Sequence, residues 1–202
     1  MPEPLVQRPA LEAARPRGLR LGERRLGKLE LRGDPADRTF MAAVGRTLDV
    51  LLPSEPNSTA GRDALVALWL GPDAWLLTCP LDEVAAHAES LRQALSDAHA
   101  AITDVSDGRV VLRLAGPNAR DLLAKGCPLD LHPRGFPPGS CAQSLFAKTS
   151  VLIHLIDHQP QPGPTFDLPA FDLYVGRSFA HYLWAWLEDA GREYGLQIAS
   201  AA

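Results

Sequence analysis

A chain of 202 residues with 46% hydrophobic and 22% charged content has the composition of one compact soluble unit, above the usual domain size yet within the reach of a single core. Its formal net charge of −4 gives no basic footprint for nucleic acid, and no apolar run approaches the roughly 20 residues that a membrane-spanning helix needs. The N-terminus lacks the apolar centre of a secretory signal, so the cytoplasm is the expected compartment. Cys79, Cys127 and Cys141 are widely spaced with no Cys-x-x-Cys, which argues against a disulfide framework or a thiolate metal site and for reduced thiols, at least two of them buried.

Residues 1–33 hold eight of the 20 Lys and Arg against four Glu, so this stretch is +4 on a remainder of −8. Pro2, Pro4, Pro9 and Pro16 interrupt its early half. Residues 1–25 are expected to be a basic, flexible arm, either wrapping a larger acidic partner or standing as a solvated tail; residues 26–202 are expected to form a single α+β domain. Lys28 to Arg32 alternates as a strand, and Ala36 to Val44 reads as a helix that begins after Asp34-Pro35. Leu65 to Thr78 reads as a hairpin closed at Gly71-Pro72-Asp73. The helix that starts near Asp82 places Val84, Ala88, Leu91, Leu95 and Ala98 on one apolar stripe.

After the Asp107-Gly108 turn, Arg109 to Leu114 has the β-branched and apolar character of a strand. A short helix follows, for which Gly116 is the expected N-cap, Pro117 the first helical residue and Gly126 the left-handed stop. Pro128, Pro133, Pro137 and Pro138 make the next stretch an ordered loop. Gln143 to Ile156 reads as strand, with a run at Val151–Ile156 too continuously apolar to be half exposed. Phe171 to Val175 alternates as another. Ser178 is the expected cap of a last helix that turns Phe179, Tyr182, Leu183, Trp186, Leu187 and Ala190 inward and ends at Gly195. Strand-helix-strand groups on either side of about residue 100 predict an α+β fold made of two interlocked ferredoxin-like α/β halves.

Side chains that carry chemistry are sparse in this pattern. His154 and His158 are four apart, but on a strand their imidazoles would stand roughly 13 Å apart, too far to share a zinc ion, so surface or edge histidines are expected. Asp104 and Asp107 could be taken as paired carboxylates for acid-base work, but Asp107 fits a turn position. Ser106 lacks a nucleophile-elbow context, and no glycine-rich phosphate loop opens a helix. For Cys127 and His132, proximity in sequence is the only argument for an activated thiolate; a buried thiol and a loop histidine are expected.

Asp104-Val105-Ser106 followed by Gly116-Pro117-Asn118-Ala119 resembles the opening of the folate-binding fold of glycine-cleavage T-proteins. A wider set of segments runs from Trp69 to Leu77, Thr103 to Arg109, Gly126 to Pro133 and Tyr174 to Ala180. In that order they resemble the gamma subunits of heterotetrameric sarcosine oxidase. The resemblance implies a fold of the T-protein folate-binding type and a noncatalytic structural subunit, assembled with alpha, beta and delta subunits. Such a complex oxidatively demethylates sarcosine to glycine, with hydrogen peroxide and formaldehyde or methylene-tetrahydrofolate as further products. FAD, FMN, NAD, tetrahydrofolate and zinc are implied for the other subunits, and no cofactor or metal for this chain. Asp130 stands near where T-proteins carry a catalytic carboxylate, but its neighbours differ and the pterin-clamping residues have no match, so that role is not carried over. A stand-alone folate-binding protein of T-protein type is the alternative.

Surface for association is then the expected asset of the chain. Trp184 and Trp186 point about 200° apart on a helix, so both cannot serve one core face. Trp184 either faces a partner or packs under a loop of its own chain. Aromatic and arginine anchors nominate Trp75, His132, Arg134, Phe136, Arg177 and Trp184 as partner-interface residues.

Overall fold

A computed structural model describes residues 18–156 and 168–199. The first strand, β1 (Leu19–Arg24), is followed at once by β2 (Gly27–Arg32) and helix α1 (Arg38–Leu48). Strands β3 (Thr59–Arg62), β4 (Leu65–Gly71) and β5 (Ala74–Cys79), helix α2 (Val84–Ala94) and strand β6 (Ala101–Asp104) complete the first half. The second half runs through β7 (Arg109–Ala115), α3 (Ala119–Ala124), β8 (Cys141–Phe146), β9 (Thr149–Leu155), β10 (Ala170–Gly176), α4 (Arg177–Gly191) and β11 (Leu196–Ile198).

One sheet has the order β3-β4-β5-β2-β6 and the other β11-β1-β7-β10-β9-β8. In the first, β2-α1-β4-β5-α2-β6 is the ferredoxin-like βαββαβ unit, with β3 added at its edge. The second repeats it as β7-α3-β9-β10-α4-β11, with β1 inserted between β11 and β7 and β8 added at the far edge. The interlock is the inserted strand. β1 precedes the whole first unit yet pairs antiparallel with β7 and parallel with β11, so the chain crosses between the sheets after Arg24 and again after Asp104.

Alternation within the strands dictates how the sheets stack. Leu29, Leu31, Trp75 and Leu77 face Phe40 and Val44 of α1 and Val84 and Leu91 of α2. Leu112, Leu114, Leu173 and Val175 face Leu122 of α3 and Leu183 and Leu187 of α4. The opposite faces meet in a third cluster of Leu68, Leu76, Val111, Cys141, Leu152 and Tyr174. The result is four layers, helices-sheet-sheet-helices, in which β5 and β10 are buried on both sides.

Several local expectations are revised. The arm expected over residues 1–25 overlaps β1, where Leu19 and Leu21 are fully buried; its residues 1–17 lie outside the described residues. Helix α1 starts later than Ala36 because Asp37 is its cap, accepting the Thr39 and Phe40 N–H groups at 2.8 and 3.3 Å. The strand-like stretch Gln143–Ile156 resolves into a hairpin, β8 and β9, turned at Ala147, whose φ is 51°, with β9 the buried strand. Helix α3 starts at Ala119 with Asn118 before it, not at Pro117. Gly116, at φ +138°, serves instead the close approach of the chain entering β1: a Cβ there would sit 2.2 Å from the Gly18 carbonyl oxygen. Gly126 does not adopt the left-handed conformation; its bare α-carbon admits the Trp186 and Phe146 rings, which pack edge to face at 4.9 Å. Ser178 does not cap α4, which begins at Arg177 behind Gly176 with no side-chain cap. Phe179 and Tyr182 face solvent, at 49% and 38% exposure, and the inward stripe is Leu183, Leu187 and Gly191. Gly195 does take the left-handed conformation, at φ 67°, after a 3-10 turn over Arg192–Tyr194.

Candidate functional site

Asp104 and Ser106 explain their own spacing. The Ser106 N–H donates to Asp104 Oδ1 at 2.9 Å, and Ser106 Oγ accepts the Lys28 N–H at 2.9 Å. This clasp ties the second sheet crossing to β2, and the bonds from Ser106 hold the Asp104 carboxyl below its ordinary range. Asp107 is exposed and accepts from Arg177: the guanidinium Nε reaches the Asp107 carbonyl at 2.6 Å, and Nη2 lies 3.5 Å from its carboxylate. Arg177 is thereby stapled to the turn before β7 while remaining exposed. Lys28 is buried, donates from Nζ to the Leu26 carbonyl at 2.7 Å, and has its pKa lowered by burial, with Asp104 and Asp107 opposing.

The three cysteines are free and buried. Burial pushes the Cys79 thiol up to about 11 and Cys141 up to about 12, the reverse of an activated thiolate. His132 Nδ1 accepts the Arg134 N–H at 3.2 Å, so this ring nitrogen closes its own turn. Asp130 Oδ1 accepts the His132 N–H at 2.9 Å. Among the described residues no group of three His, Cys, Asp or Glu is arranged to hold a metal ion, and no helix is long and apolar enough to cross a membrane.

His154 departs from the expected surface or edge position. It is 6% exposed on β9, and its Nδ1 has no hydrogen-bond partner; His158 lies outside the described residues. Across the second sheet, Arg113, Asp172, His154 and Cys141 occupy facing positions on four adjacent strands. Arg113 grips Asp172 with two parallel bonds of 2.7 Å, and Asp172 is 2% exposed. These residues share the face of Val111, Leu152 and Tyr174, so a polar row borders the apolar layer between the sheets. Burial lowers the His154 pKa to about 4, with Asp172 opposing and Arg113 adding to the fall. Inspection of the sequence passes over Arg113 and Asp172, because a charged residue between two apolar ones is the ordinary mark of a solvated strand face. Only strand pairing shows that the two face each other.

The nominated interface residues divide. Trp75 is 1% exposed: its indole N–H donates to the Pro53 carbonyl at 2.8 Å and its ring lies 6.0 Å from Phe40, which removes it from any docking surface. Phe136 is likewise buried, stacked 6.5 Å from Phe171, and acts as the anchor of its loop. His132, Arg134 and Arg177 are exposed, whereas Trp184 is half-buried against the core of the second sheet. The exposed groups do not converge. The loop of His132 and Arg134 packs by Phe136 at the Phe171 end of β10, and Arg177 follows the other end, six residues or roughly 20 Å along the strand. A residue missed in the sequence, Arg120, organises the loop: its guanidinium donates to the Leu131 and Phe136 carbonyls and lies 5.4 Å from the Phe171 ring centre. Beside it, Pro56, Asn57, Leu129, Asp130 and Ser140 help line a cleft of about 340 Å³.

The family described as sarcosine oxidase, gamma subunit family, matches residues 32–193. The chain belongs to this family. Sarcosine oxidase subunit gamma of Corynebacterium sp. (strain P-1) is 34% identical over 154 residues, covering 76% of this chain and 70% of that one. The subunit gamma of Corynebacterium sp. (strain U-96) is 33% identical over 168 residues, covering 83% and 76%. Among solved structures, a chain of the heterotetrameric sarcosine oxidase from Corynebacterium sp. U-96 superposes with a TM-score of 0.75 at 31% identity, over 87% of this chain and 85% of that one. Aminomethyltransferase T of the glycine cleavage system from Bartonella henselae gives 0.61 at 13% identity, over 90% of this chain and 47% of the other, a likeness of fold alone. The gamma subunit family and the T-protein-like fold thus agree with the two interlocked halves and with the Asp104 to Ala119 signature.

Proposed function

We propose that this chain is the noncatalytic gamma subunit of a heterotetrameric sarcosine oxidase, assembled with alpha, beta and delta subunits in the cytoplasm. The complex oxidatively demethylates sarcosine to glycine, reducing oxygen to hydrogen peroxide and releasing the one-carbon unit as formaldehyde or passing it to tetrahydrofolate. FAD, FMN, NAD, tetrahydrofolate and zinc belong in this reading to the other subunits. The observation that carries it is the likeness, along 87% of its length, to a chain of a heterotetrameric sarcosine oxidase. The use of the reactive side chains supports a structural role: Asp104, Ser106, Asp130 and His132 are engaged in backbone turns, and the thiols of Cys79 and Cys141 are held protonated.

Within this reading His132, Arg134, Arg177 and Trp184 remain candidates for partner contact. The test is purification of the tagged chain from its native cytoplasm, with the visible spectrum of the pool recorded. A yellow assembly of four different chains with sarcosine-dependent peroxide release is the expected result. A colourless lone chain that binds folate would overturn it in favour of a stand-alone folate-binding protein.

A further inference from the structure

Residues 56–59 close the layer between the two sheets at its β8 edge. The Ser58 carbonyl accepts the Trp69 N–H of β4 at 3.1 Å and the Cys141 thiol of β8 at 3.4 Å, so one oxygen joins the two sheets. The Asn57 carbonyl takes the Cys141 N–H at 2.9 Å, and the Gly139 carbonyl takes the Thr59 N–H and hydroxyl at 3.0 and 2.8 Å. This strap is a thin closure. Pro56 and Asn57 are exposed, Asn57 stands in the left-handed region at φ 61°, and Ser58 meets Ser140 in an isolated bridge. Short exposed segments held by a handful of backbone bonds are where a fold opens first.

What the strap shuts in is poorly suited to acid. Cys141, fully buried, pairs directly with His154 on β9, which is 6% exposed and has no hydrogen-bond partner for Nδ1 among the described residues. Opposite His154 on β10, both oxygens of Asp172 are engaged by Arg113 at 2.7 Å, so the nearest carboxylate is already bonded to a guanidinium. Residues 56–59 and β4 carry no titratable side chain. The charged groups acting on the imidazole are Asp172, which favours its proton, and Arg113, which opposes it; burial outweighs both and holds the pKa at about 4 against an ordinary 6.5. An imidazolium must donate from both ring nitrogens, and Nδ1 meets no acceptor while the layer is closed. Water supplies one once the edge is open.

We propose that residues 56–59 form a proton-sensitive strap, which lifts from β4 and β8 and admits water when His154 takes up a proton. The device is a property of the fold and stands apart from the subunit reading. In the experiment the folded chain is treated with a pyridyl disulfide, which reacts with thiols in acid, and labelling of each cysteine is followed by peptide mass spectrometry. Rates are divided by those of the urea-unfolded chain at the same pH. Cys141 is expected to react faster than Cys79, which lies under α2 and reports global unfolding. An opening that returns the imidazole to its ordinary pKa should speed Cys141 labelling about 25-fold between about pH 7.5 and about pH 5. His154→Leu should remove that acceleration. Asn57→Val, which puts a branched side chain at a left-handed angle, should raise the Cys141 rate about tenfold at neutral pH. Equal rates at Cys141 and Cys79 would mean that the layer opens only by global unfolding, and a fast Cys141 indifferent to pH would mean that the strap moves without the imidazole. Either result overturns the proposal, as does an Asn57→Val chain that labels like wild type.

Discussion

His154 is a neutral imidazole enclosed beside an ion pair, and its pKa of about 4 against an ordinary 6.5 makes acid its weakness. Between these values the unfolded chain binds a proton that the folded chain refuses. Stability therefore falls as the pH drops from about 6.5 to about 4, by up to about 3 kcal/mol, and this contribution stops changing below that. Urea midpoints measured across this window should show the slope, and His154→Leu should flatten it. The neighbouring Arg113–Asp172 pair predicts a different outcome. Arg113→Met strands a buried carboxylate and is expected to cost about 3 kcal/mol, whereas the double change Arg113→Met with Asp172→Leu should return to within about 1 kcal/mol of wild type. A double change as damaging as the single one would show that the pair itself, and not the stranded charge, is what the fold needs.

At the scale of elements, two glycines and one cap separate backbone constraint from side-chain packing. Gly116→Ala drives a methyl against the fixed carbonyl of Gly18 at a backbone angle that side chains rarely adopt, and it is expected to cost more than about 3 kcal/mol. Gly126→Ala meets the Trp186 and Phe146 rings at 2.8 and 3.0 Å. Rings can shift, so about 1–2 kcal/mol is expected, together with a changed near-ultraviolet spectrum from Trp186. Asp37→Ala removes two capping bonds from α1 and should cost about 1 kcal/mol with no change elsewhere. Thermal melts of the three variants order these effects, and a Gly116→Ala change milder than Gly126→Ala would contradict the close approach of the chain at Gly18.

Across the whole molecule, β1 makes the two halves one folding unit. The strand lies next to β7 and β11 but is joined by two residues to β2 in the other sheet, so neither sheet can come apart without disturbing that crossing. The apolar layer of Leu68, Leu76, Val111, Leu152 and Tyr174 binds the sheets face to face. One cooperative transition is expected. Trp75 reports the core under α1, and Trp186 reports the packing of α4; single-tryptophan variants should unfold at coincident urea midpoints that also match far-ultraviolet dichroism. Separated midpoints would mean that the halves are independent domains.

Much of this was legible from local pattern. The stripe Val84, Ala88, Leu91 and Leu95 packs as its spacing requires, the Pro72-Asp73 tip closes its hairpin, and Gly195 stops the chain in a left-handed turn. Periodicity and turn chemistry act over a few residues, so they survive whatever surrounds them. The family signature was legible too, because Asp104 and Ser106 sit at a spacing that their own hydrogen bonds impose. What the sequence left open depends on contacts between distant segments. Trp75 and Phe136 have the chemistry of interface anchors, yet the Pro53 carbonyl and the Phe171 ring claim them for the interior. Arg20, Arg24 and Glu23 disguise β1 as part of a solvated arm, and only its place between two strands of the second sheet makes it core. Local sequence determined where this chain bends, caps and alternates. Which of its polar and aromatic groups meet water was decided by the pairing of strands nearly a hundred residues apart, since burial belongs to the packed layers and to no single element.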